Sequence, residues 1–506
     1  MSEPRKRSRP ARTTGALQQP PFGQVPRPYS PIAVLSDDHI AAIHAAALRV
    51  LSEIGMSVLE PRAGDLFARA GATVTGETVR LDPGLIAECL STVPQTFTLA
   101  ARNPLKSLHF GGNDCVFASV GGPAYVMDND HGRRNGTHAE MCDYLKLTHS
   151  LNVLHQIGGT PFEPMDLPAN TRYLDCFLAQ IRLSDKNWQT ETLGRARTLD
   201  GIELAAISLG CTVDDLARRP ALLGIINTNS PLQLDIPMAE GLVTMAEHGQ
   251  VNVITPFTLA GAMSPVTLAG ALVMQHAEAL AGIALTQIVR PGVPVMYGGF
   301  TSNVDMRSGS PAFGTPEYTK AAQASGQLAR HIGVPFRSSN VTAANEVDAQ
   351  AAYESQMALW GALMGGAHLV EHAAGWLHGG LTASFEKLIL DAEMLQMMQA
   401  YFTPIRVDEA SLAVDAIRDV GAGGHFFGAA HTMSRYETAF YSPLLSNWDN
   451  HTTFIDRGGV QARERANTIW KQMLAEYEAP ALDPAMDDAL TAYVTRRKAE
   501  GGAPMN

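Results

Sequence analysis

Cysteine is scarce and scattered. Cys89, Cys115, Cys142, Cys176 and Cys211 form no C-x-x-C pair, which excludes a disulfide framework and a thiolate metal site and points to a reducing compartment. Charge is equally thin: charged residues make up 17% of the chain and the formal net charge is -12. A nucleic-acid binder concentrates lysine and arginine into a patch or stripe, so no nucleic-acid partner is expected. Long apolar runs are missing too. The nearest, at 277–289, is broken by Glu278, Gly282 and Gln287, short of the roughly 18 uninterrupted apolar residues of a membrane span. The N-terminus has no apolar signal core, so a cytoplasmic protein without a membrane partner is expected. Histidines never occur as His-x-His, and His372 and His378 stand six apart. That spacing is poor for a shared ligand pair on regular structure, and no metal site is expected.

What is present is a globular composition: 506 residues, 45% of them hydrophobic, with 45 glycines. This suffices for one large barrel with extensions or for several smaller domains. Residues 1–34 hold seven prolines and the cluster Arg5, Lys6, Arg7, Arg9 and Arg12, with almost nothing to bury, and are expected to be a disordered tail. After it, Ser36 is a good N-cap, and Ile40, Ile43, Ala47, Val50, Leu51 and Ile54 recur at helical spacing until Gly55 offers a stop. Residues 35–151 read as an α+β extension, with further helices at 63–70 and 83–90, a strand at 79–81 and a Gly-rich β stretch over 110–126.

From residue 152 the pattern changes to short apolar strands ending in Gly, Pro, Asn or Ser, alternating with Ala-rich helices. Eight candidate strands fall at 153–157, 187–192, 222–228, 251–257, 294–298, 334–338, 368–372 and 424–427. Their starts are roughly 28 to 56 residues apart, enough for a loop, a helix and a return turn, the mark of parallel βαβ units. Helical faces at 267–288, 316–331, 349–364 and 382–402 agree. The fold class is therefore α/β: a (β/α)8 barrel over 152–440, preceded by the α+β extension and followed by a helical segment, 441–506, with helices at 461–477 and 483–498.

In such barrels the reacting groups gather at the C-terminal strand ends. None of these ends carries a lysine, which excludes a Schiff-base mechanism. What they carry is a set of rings, amides and histidines with few formal charges. Tyr297, Phe300, Phe336, Trp376 and Phe257 can present ring faces to a bulky, weakly hydrated cation such as a methylated ammonium. Arg337 is the one fixed positive charge and a natural carboxylate clamp. His372 beside Glu371 either anchors a carboxylate or forms a hydrogen-bonded interior pair. Asn227, Asn340 and Gln189 are the candidates for orienting a substrate, and His425 and His431 for lining the mouth. No residue is assigned a role beyond positioning.

Several stretches then carry a resemblance together: Val50-Leu51-Ser52-Glu53-Ile54-Gly55, Ala101-Arg102-Asn103-Pro104, and Tyr297-Gly298-Gly299 followed by Met306-Arg307-Ser308-Gly309. Further on come Asp348-Ala349-Gln350-Ala351 with Glu354-Ser355, and Gly423-Gly424-His425-Phe426 with His431-Thr432. In this order and spacing the chain, from about residue 35 to its end, resembles the trimethylamine:corrinoid methyltransferase family. The resemblance implies a barrel that binds no cofactor permanently and docks a small corrinoid protein over its mouth, where Co(I) is the nucleophile that takes a methyl group from a small methylated amine. The chain's own sequence is consistent with a separate carrier: the corrinoid signature Asp-x-His-x-x-Gly is absent, since Asp37-Asp38-His39 is followed by Ala42 where the glycine belongs.

One departure bears on the substrate. Founding members acting on trimethylamine carry a pyrrolysine in the segment corresponding to residues 334–345, and only standard residues stand here. Methyl transfer from neutral trimethylamine would expel an amide anion, whereas a quaternary ammonium leaves as a neutral tertiary amine. A quaternary amine such as a betaine is therefore expected, as in the non-pyrrolysine branch that resembles glycine betaine methyltransferases. Transfer to tetrahydrofolate without a corrinoid protein, and a non-catalytic betaine-binding protein, are the alternatives. A homo-oligomer is compatible with the composition but not readable from it.

Overall fold

A computed structural model of the chain describes residues 17–504. Its centre is an eight-stranded parallel sheet: β1 (Val116–Ser119), β2 (Gln156–Ile157), β3 (Asn187–Trp188), β4 (Leu223–Ile226), β5 (Val251–Ile254), β6 (Val295–Gly298), β7 (Phe336–Ser339) and β8 (Leu369–Ala374). β8 pairs with β1 through Leu369 and Val116. The remaining seam, between β3 and β4, closes through a parallel bridge from Gln189 to Leu223 and a 3.2 Å hydrogen bond from the Thr190 N–H to the Leu223 carbonyl. The sheet is a barrel.

Each strand is followed by a helix: α1 (His138–Ser150), α2 (Arg172–Leu183), α3 (Arg195–Ser208), α4 (Ile236–Glu247), α5 (Leu268–Val289), α6 (Pro316–His331), α7 (Ala349–Met364) and α8 (Phe385–Phe402). Local chemistry sets their starts. Thr137 and Glu140 form a reciprocal capping box at α1, and Thr315, Asp348 and Ser384 cap α6, α7 and α8 with their side-chain oxygens. α5 is the one helix among the described residues long and apolar enough to cross a membrane, yet 78% of its most apolar window is buried inside the protein. It is apolar all round because it packs on the barrel, α4, α6 and an N-terminal helix at once.

The barrel begins earlier than the sequence pattern indicates. Its first strand, Val116–Ser119, lies inside the Gly-rich stretch expected to belong to the extension. The strand expected at 424–427 does not form, and those residues lie in an exposed turn. The reason is topological: β1 already occupies the edge of β8, so no partner remains for a later strand. The expected disordered tail also needs correction from residue 17 onward. Phe22 packs edge-on to His155 at 5.7 Å between ring centroids, Gln24 pairs with the His109 backbone, and Arg27 is buried with its guanidinium on the Ala367 carbonyl. Residues 1–16 lie outside the described residues.

Below the strands, the antiparallel pair Phe97–Leu99 and Leu108–Phe110 plugs the N-terminal end of the barrel. Phe97 and Phe110 stack at 4.9 Å, and these strands pack with Val116, Leu223, Val251, Val253, Met296 and Leu369 in one buried cluster. The interior is thus filled from below, leaving space only toward the C-terminal strand ends. The expected helix from Ser36 is present as Asp37–Arg49 plus a wider turn to Ile54, with the Ser36 hydroxyl accepting from the His39 N–H at 3.3 Å.

Candidate active site

A cavity of about 660 Å3 opens at the C-terminal end of the barrel, and every strand or the loop after it contributes to its wall. Gly121 and Gly122 follow β1, Gly158 to Thr160 follow β2, and Gln189 to Leu193 follow β3. Asn227 to Ser230 follow β4, Thr255, Phe257 and Met263 follow β5, and Phe300 follows β6. Arg337 comes from β7, and Glu371, His372 and Trp376 from β8 and the turn beyond it.

The aromatic wall comes from chain that continues past the barrel. After β5 and β6 the backbone re-forms a second parallel pair, Phe257–Ala260 against Phe300–Val304, with Phe257 and Phe300 directly opposite one another. Their ring centroids are 5.2 Å apart. After β8 a short strand, Trp376–Leu377, pairs with Thr382–Ser384 and brings the Trp376 ring 6.1 Å from Phe300. Phe313 backs both, 5.7 Å from Phe300 and 6.0 Å from Trp376. The Trp376 indole N–H donates to the Thr342 carbonyl at 3.2 Å, which fixes the ring. Three aromatic rings therefore line one cavity wall, and such rings can attract a cation through their quadrupoles.

The polar floor has a different logic. Arg337 is 2% exposed, yet its Nε and Nη1 have no hydrogen-bond partner. The guanidinium carbon lies 5.4 Å from the Phe300 centroid, so the fixed charge stands beside the ring wall. Glu371 is fully buried; its Oε2 accepts from Gln189 Nε2 at 2.8 Å while its Oε1 has no partner. Burial raises its pKa to about 7, against the opposing pull of Arg337 and the Gln189 hydrogen bond. His372 adopts a φ of 52° where the register of β8 on β1 slips between Val370 and Ala374. A bulge of this kind re-aims a side chain, and here the imidazole lies 4.6 Å from Trp376, tilted 46° to its ring. Burial, with Arg337 nearby, holds His372 well below the usual imidazole range, so it is neutral.

Of the residues singled out from sequence, Trp376, Phe300, Arg337, His372, Glu371, Asn227 and Gln189 face the cavity. Tyr297 and Phe336 do not. Side chains alternate across a strand, and Tyr297 is on the outer side of the barrel, where its hydroxyl meets Gln275 Nε2 at 3.0 Å and His276 Nδ1 at 3.2 Å on α5. Phe336 likewise packs outward toward Gly326 of α6. Asn340 is buried, donating from Nδ2 to the Ala373 carbonyl at 2.9 Å, and contributes nothing to the cavity wall. His425 and His431 lie in the segment after α8 and not at the cavity, since the strand expected to carry them is absent. The sequence reading missed Phe313, Glu191 and the glycines after β1 and β2. The last had a signal: Val116 to Val120 is an apolar run closed by Gly121-Gly122, the same pattern used to find the other strands.

Those glycines test whether a flat macrocycle could approach the mouth. Gly122 and Gly159 have φ of 92° and 93°, and a Cβ at either would meet nothing within 4 Å, so this part of the rim is bare backbone facing open space. A large group brought from outside would meet no side chain at these two positions. One cluster elsewhere, Asp128, Asp130 and His131, has the donor atoms for a metal. Its carboxylates are already paired with Arg134 and Lys471.

A family model described as trimethylamine methyltransferase (MTTB) matches residues 2–502. The glycine betaine methyltransferase of Desulfitobacterium hafniense (strain Y51) is 38% identical over 470 residues, 93% of this chain and 98% of that protein. The proline betaine:corrinoid methyltransferase of Eubacterium limosum is 28% identical, covering 91% of this chain and 96% of its own. The crystal structure of the monomethylamine methyltransferase of Methanosarcina barkeri aligns with a TM-score of 0.49 and 9% identity over 89% of each chain. The chain belongs to the trimethylamine methyltransferase family, and it is a methyltransferase.

Proposed function

We propose that this enzyme takes a methyl group from a small quaternary ammonium carboxylate, a betaine, and passes it to a corrinoid carried by a separate protein in the cytoplasm. One observation supports the choice of substrate above the rest: a buried arginine with two unpartnered guanidinium nitrogens stands beside a wall of three rings in the same cavity. A betaine has the complementary pair of charges on one compact skeleton. The ring wall of Phe257, Phe300 and Trp376 takes the permanently charged nitrogen. Arg337 takes the carboxylate through its free N–H groups, a charge-assisted contact.

The corrinoid, when bound, supplies the reduced cobalt that accepts the methyl group. The protein's own part is positional. The ring wall and the floor fix the substrate's orientation and exclude water from the charged nitrogen. The departing amine is neutral, so no side chain need donate a proton to it. The neutral state of His372 suits this, because it places no competing cation against Trp376. The bare rim at Gly122 and Gly159 leaves room for the visiting cofactor to come close.

The test mixes the purified enzyme with a reduced corrinoid protein and a panel of glycine betaine, proline betaine, choline and trimethylamine. Absorption of the reduced corrinoid is followed together with release of the demethylated amine. Loss of that absorption with stoichiometric tertiary amine from a betaine is the expected result. No change with any quaternary amine would remove the proposal.

A further inference from the structure

The stretch Asp348-Ala349-Gln350-Ala351 with Glu354-Ser355 is among those that carry the family resemblance, yet none of these residues lines the cavity. Asp348 is engaged at the start of α7, where its carboxylate accepts from the Gln350 and Ala351 N–H groups at 2.8 and 3.2 Å. Glu354, further along the helix, reaches out of it. Its Oε2 accepts three hydrogen bonds from the loop after β7: from Thr342 Oγ1 at 2.6 Å, the Ala343 N–H at 2.9 Å and the Ala344 N–H at 3.1 Å. Gln350 Nε2 donates to the other oxygen at 2.8 Å. Residues 340–348 form neither helix nor strand, so their backbone donors have no ladder to satisfy them. One carboxylate oxygen serves two of these donors and the adjoining hydroxyl, and hydrogen bonds to a charged acceptor are the strong ones.

The loop so fixed carries the contact on which the ring wall depends. The Thr342 carbonyl accepts from the Trp376 indole N–H at 3.2 Å and from the Gly379 N–H at 3.1 Å, and the Ala344 carbonyl accepts from the His378 N–H at 3.0 Å. The segment bearing Trp376 is thus tied to the 342–344 loop at three points, and that loop is tied in turn to α7 through Glu354. The same turn of α7 also seats the chain beside Phe313. A Cβ on Gly314 would fall 2.4 Å from Glu354 Cβ and 2.6 Å from its Cα, so only a glycine allows this approach. Phe313 is the ring that backs both Phe300 and Trp376.

We propose that Glu354 is a positioning residue: by fixing the 342–344 loop it holds the Trp376 ring in place for the substrate, an inference that rests on the ring wall being the cation site. Glu354 touches no substrate itself. Its effect passes through the Thr342 carbonyl to the indole N–H, and a ring freed from that carbonyl can turn its face away from the cavity. Loss of folded enzyme lowers kcat, whereas a loosened binding surface raises KM, so the two roles of such a residue separate in the kinetics.

The first measurement needs no substrate. Time-resolved fluorescence anisotropy with and without Trp376→Phe isolates Trp376 from Trp188, Trp360, Trp448 and Trp470. A held ring depolarises only as the protein tumbles; Glu354→Ala is expected to add a nanosecond component, and Glu354→Gln, which keeps an accepting oxygen, is not. Methyl transfer from glycine betaine to a reduced corrinoid protein is then followed. Glu354→Ala should raise KM about fivefold with kcat changed less than about twofold, and Glu354→Gln should restore KM to within about twofold of the unaltered enzyme. Added to Trp376→Ala, Glu354→Ala should raise KM by less than a further factor of about two, because the ring it holds is gone. A ring that stays fixed in Glu354→Ala, or a rise of about fivefold on top of Trp376→Ala, would overturn the inference. Thr342→Val removes one of the three donors and is carried through the same cycle, with KM expected to rise about two- to threefold, so misfolding of Glu354→Ala would not silence the test. If Trp376→Ala itself leaves KM unmoved, the ring wall is not the cation site, and the anisotropy by itself decides whether Glu354 holds the ring.

Discussion

Two buried pairs of opposite charge sit within this barrel, and they are built differently. Behind β8, Lys387 and Asp391 are both fully buried and in direct contact, and Lys387 Nζ also donates to Ser355 Oγ at 2.8 Å. Asp391 accepts from the Gly375 N–H at 2.8 Å as well. In the cavity, Arg337 and Glu371 are as deeply buried but make no direct ion pair, and each keeps polar atoms without partners. Buried polar groups are almost always satisfied. The lysine–aspartate pair satisfies itself and belongs to the scaffold, whereas Arg337 and Glu371 line the cavity and keep polar atoms without partners.

Lys387→Met leaves the Asp391 carboxylate buried without its cation, and the expected loss is about 3–5 kcal/mol of stability in a denaturant titration. Turnover of the fraction still folded should be near that of the unaltered enzyme. At the functional end the pattern reverses. Arg337→Met, removing a charge with no ion partner, should leave the melting temperature within a few degrees while lowering kcat/KM for a betaine about 100-fold, or ~3 kcal/mol. Equal damage to stability in both variants would erase the distinction.

The next effect is smaller. Trp376→Ala removes one of three ring faces and should raise KM about 10- to 30-fold, near 2 kcal/mol. Tyr297→Phe, outside the cavity, should change KM less than about threefold. These two variants also show what could be read without a structure. Trp376, Arg337, Glu371 and Phe300 were legible because each stands at or just past a strand end, and strand ends face the mouth of a barrel. Tyr297 stands at a strand end as well, yet faces the helices. Strands buried on both faces carry no alternation in their sequence, so the parity that separates Met296 and Gly298 from Tyr297 is invisible there. Long-range closure was likewise hidden. Val116–Ser119 is only four residues long and is followed by a hairpin, Tyr125–Asp128 with Gly132–Arg134, before α1 begins. Nothing local marked it as the partner of a strand some 250 residues later, and the count of eight was completed wrongly at 424–427. The helices fared better because caps and periodicity are local: α6 and α7 match their expected ranges, 316–331 and 349–364.

The smallest effect is a pH dependence. Burial raises Glu371 to about 7 from 4.5, so the folded protein holds this proton where the unfolded chain releases it. Its contribution to stability is intact below about pH 4.5 and is lost as pH rises through about 7. Glu371→Gln should flatten that slope. In the cavity, an ionised Glu371 offsets Arg337, so KM for a betaine should rise severalfold, about 1 kcal/mol, between pH 6 and 8. A KM unchanged over that range, or one that falls, would mean that Glu371 does not modulate the arginine.

Calorimetric binding of glycine betaine and of choline to the enzyme alone is the most direct test. Both have the same trimethylammonium head, and only the betaine has a carboxylate. The unaltered enzyme should bind the betaine at least tenfold more tightly, and Arg337→Met should bring the two to equal affinity. Equal affinities in the unaltered enzyme, or a preference that persists without the arginine, would contradict the assignment of Arg337 and the ring wall to the two ends of one substrate.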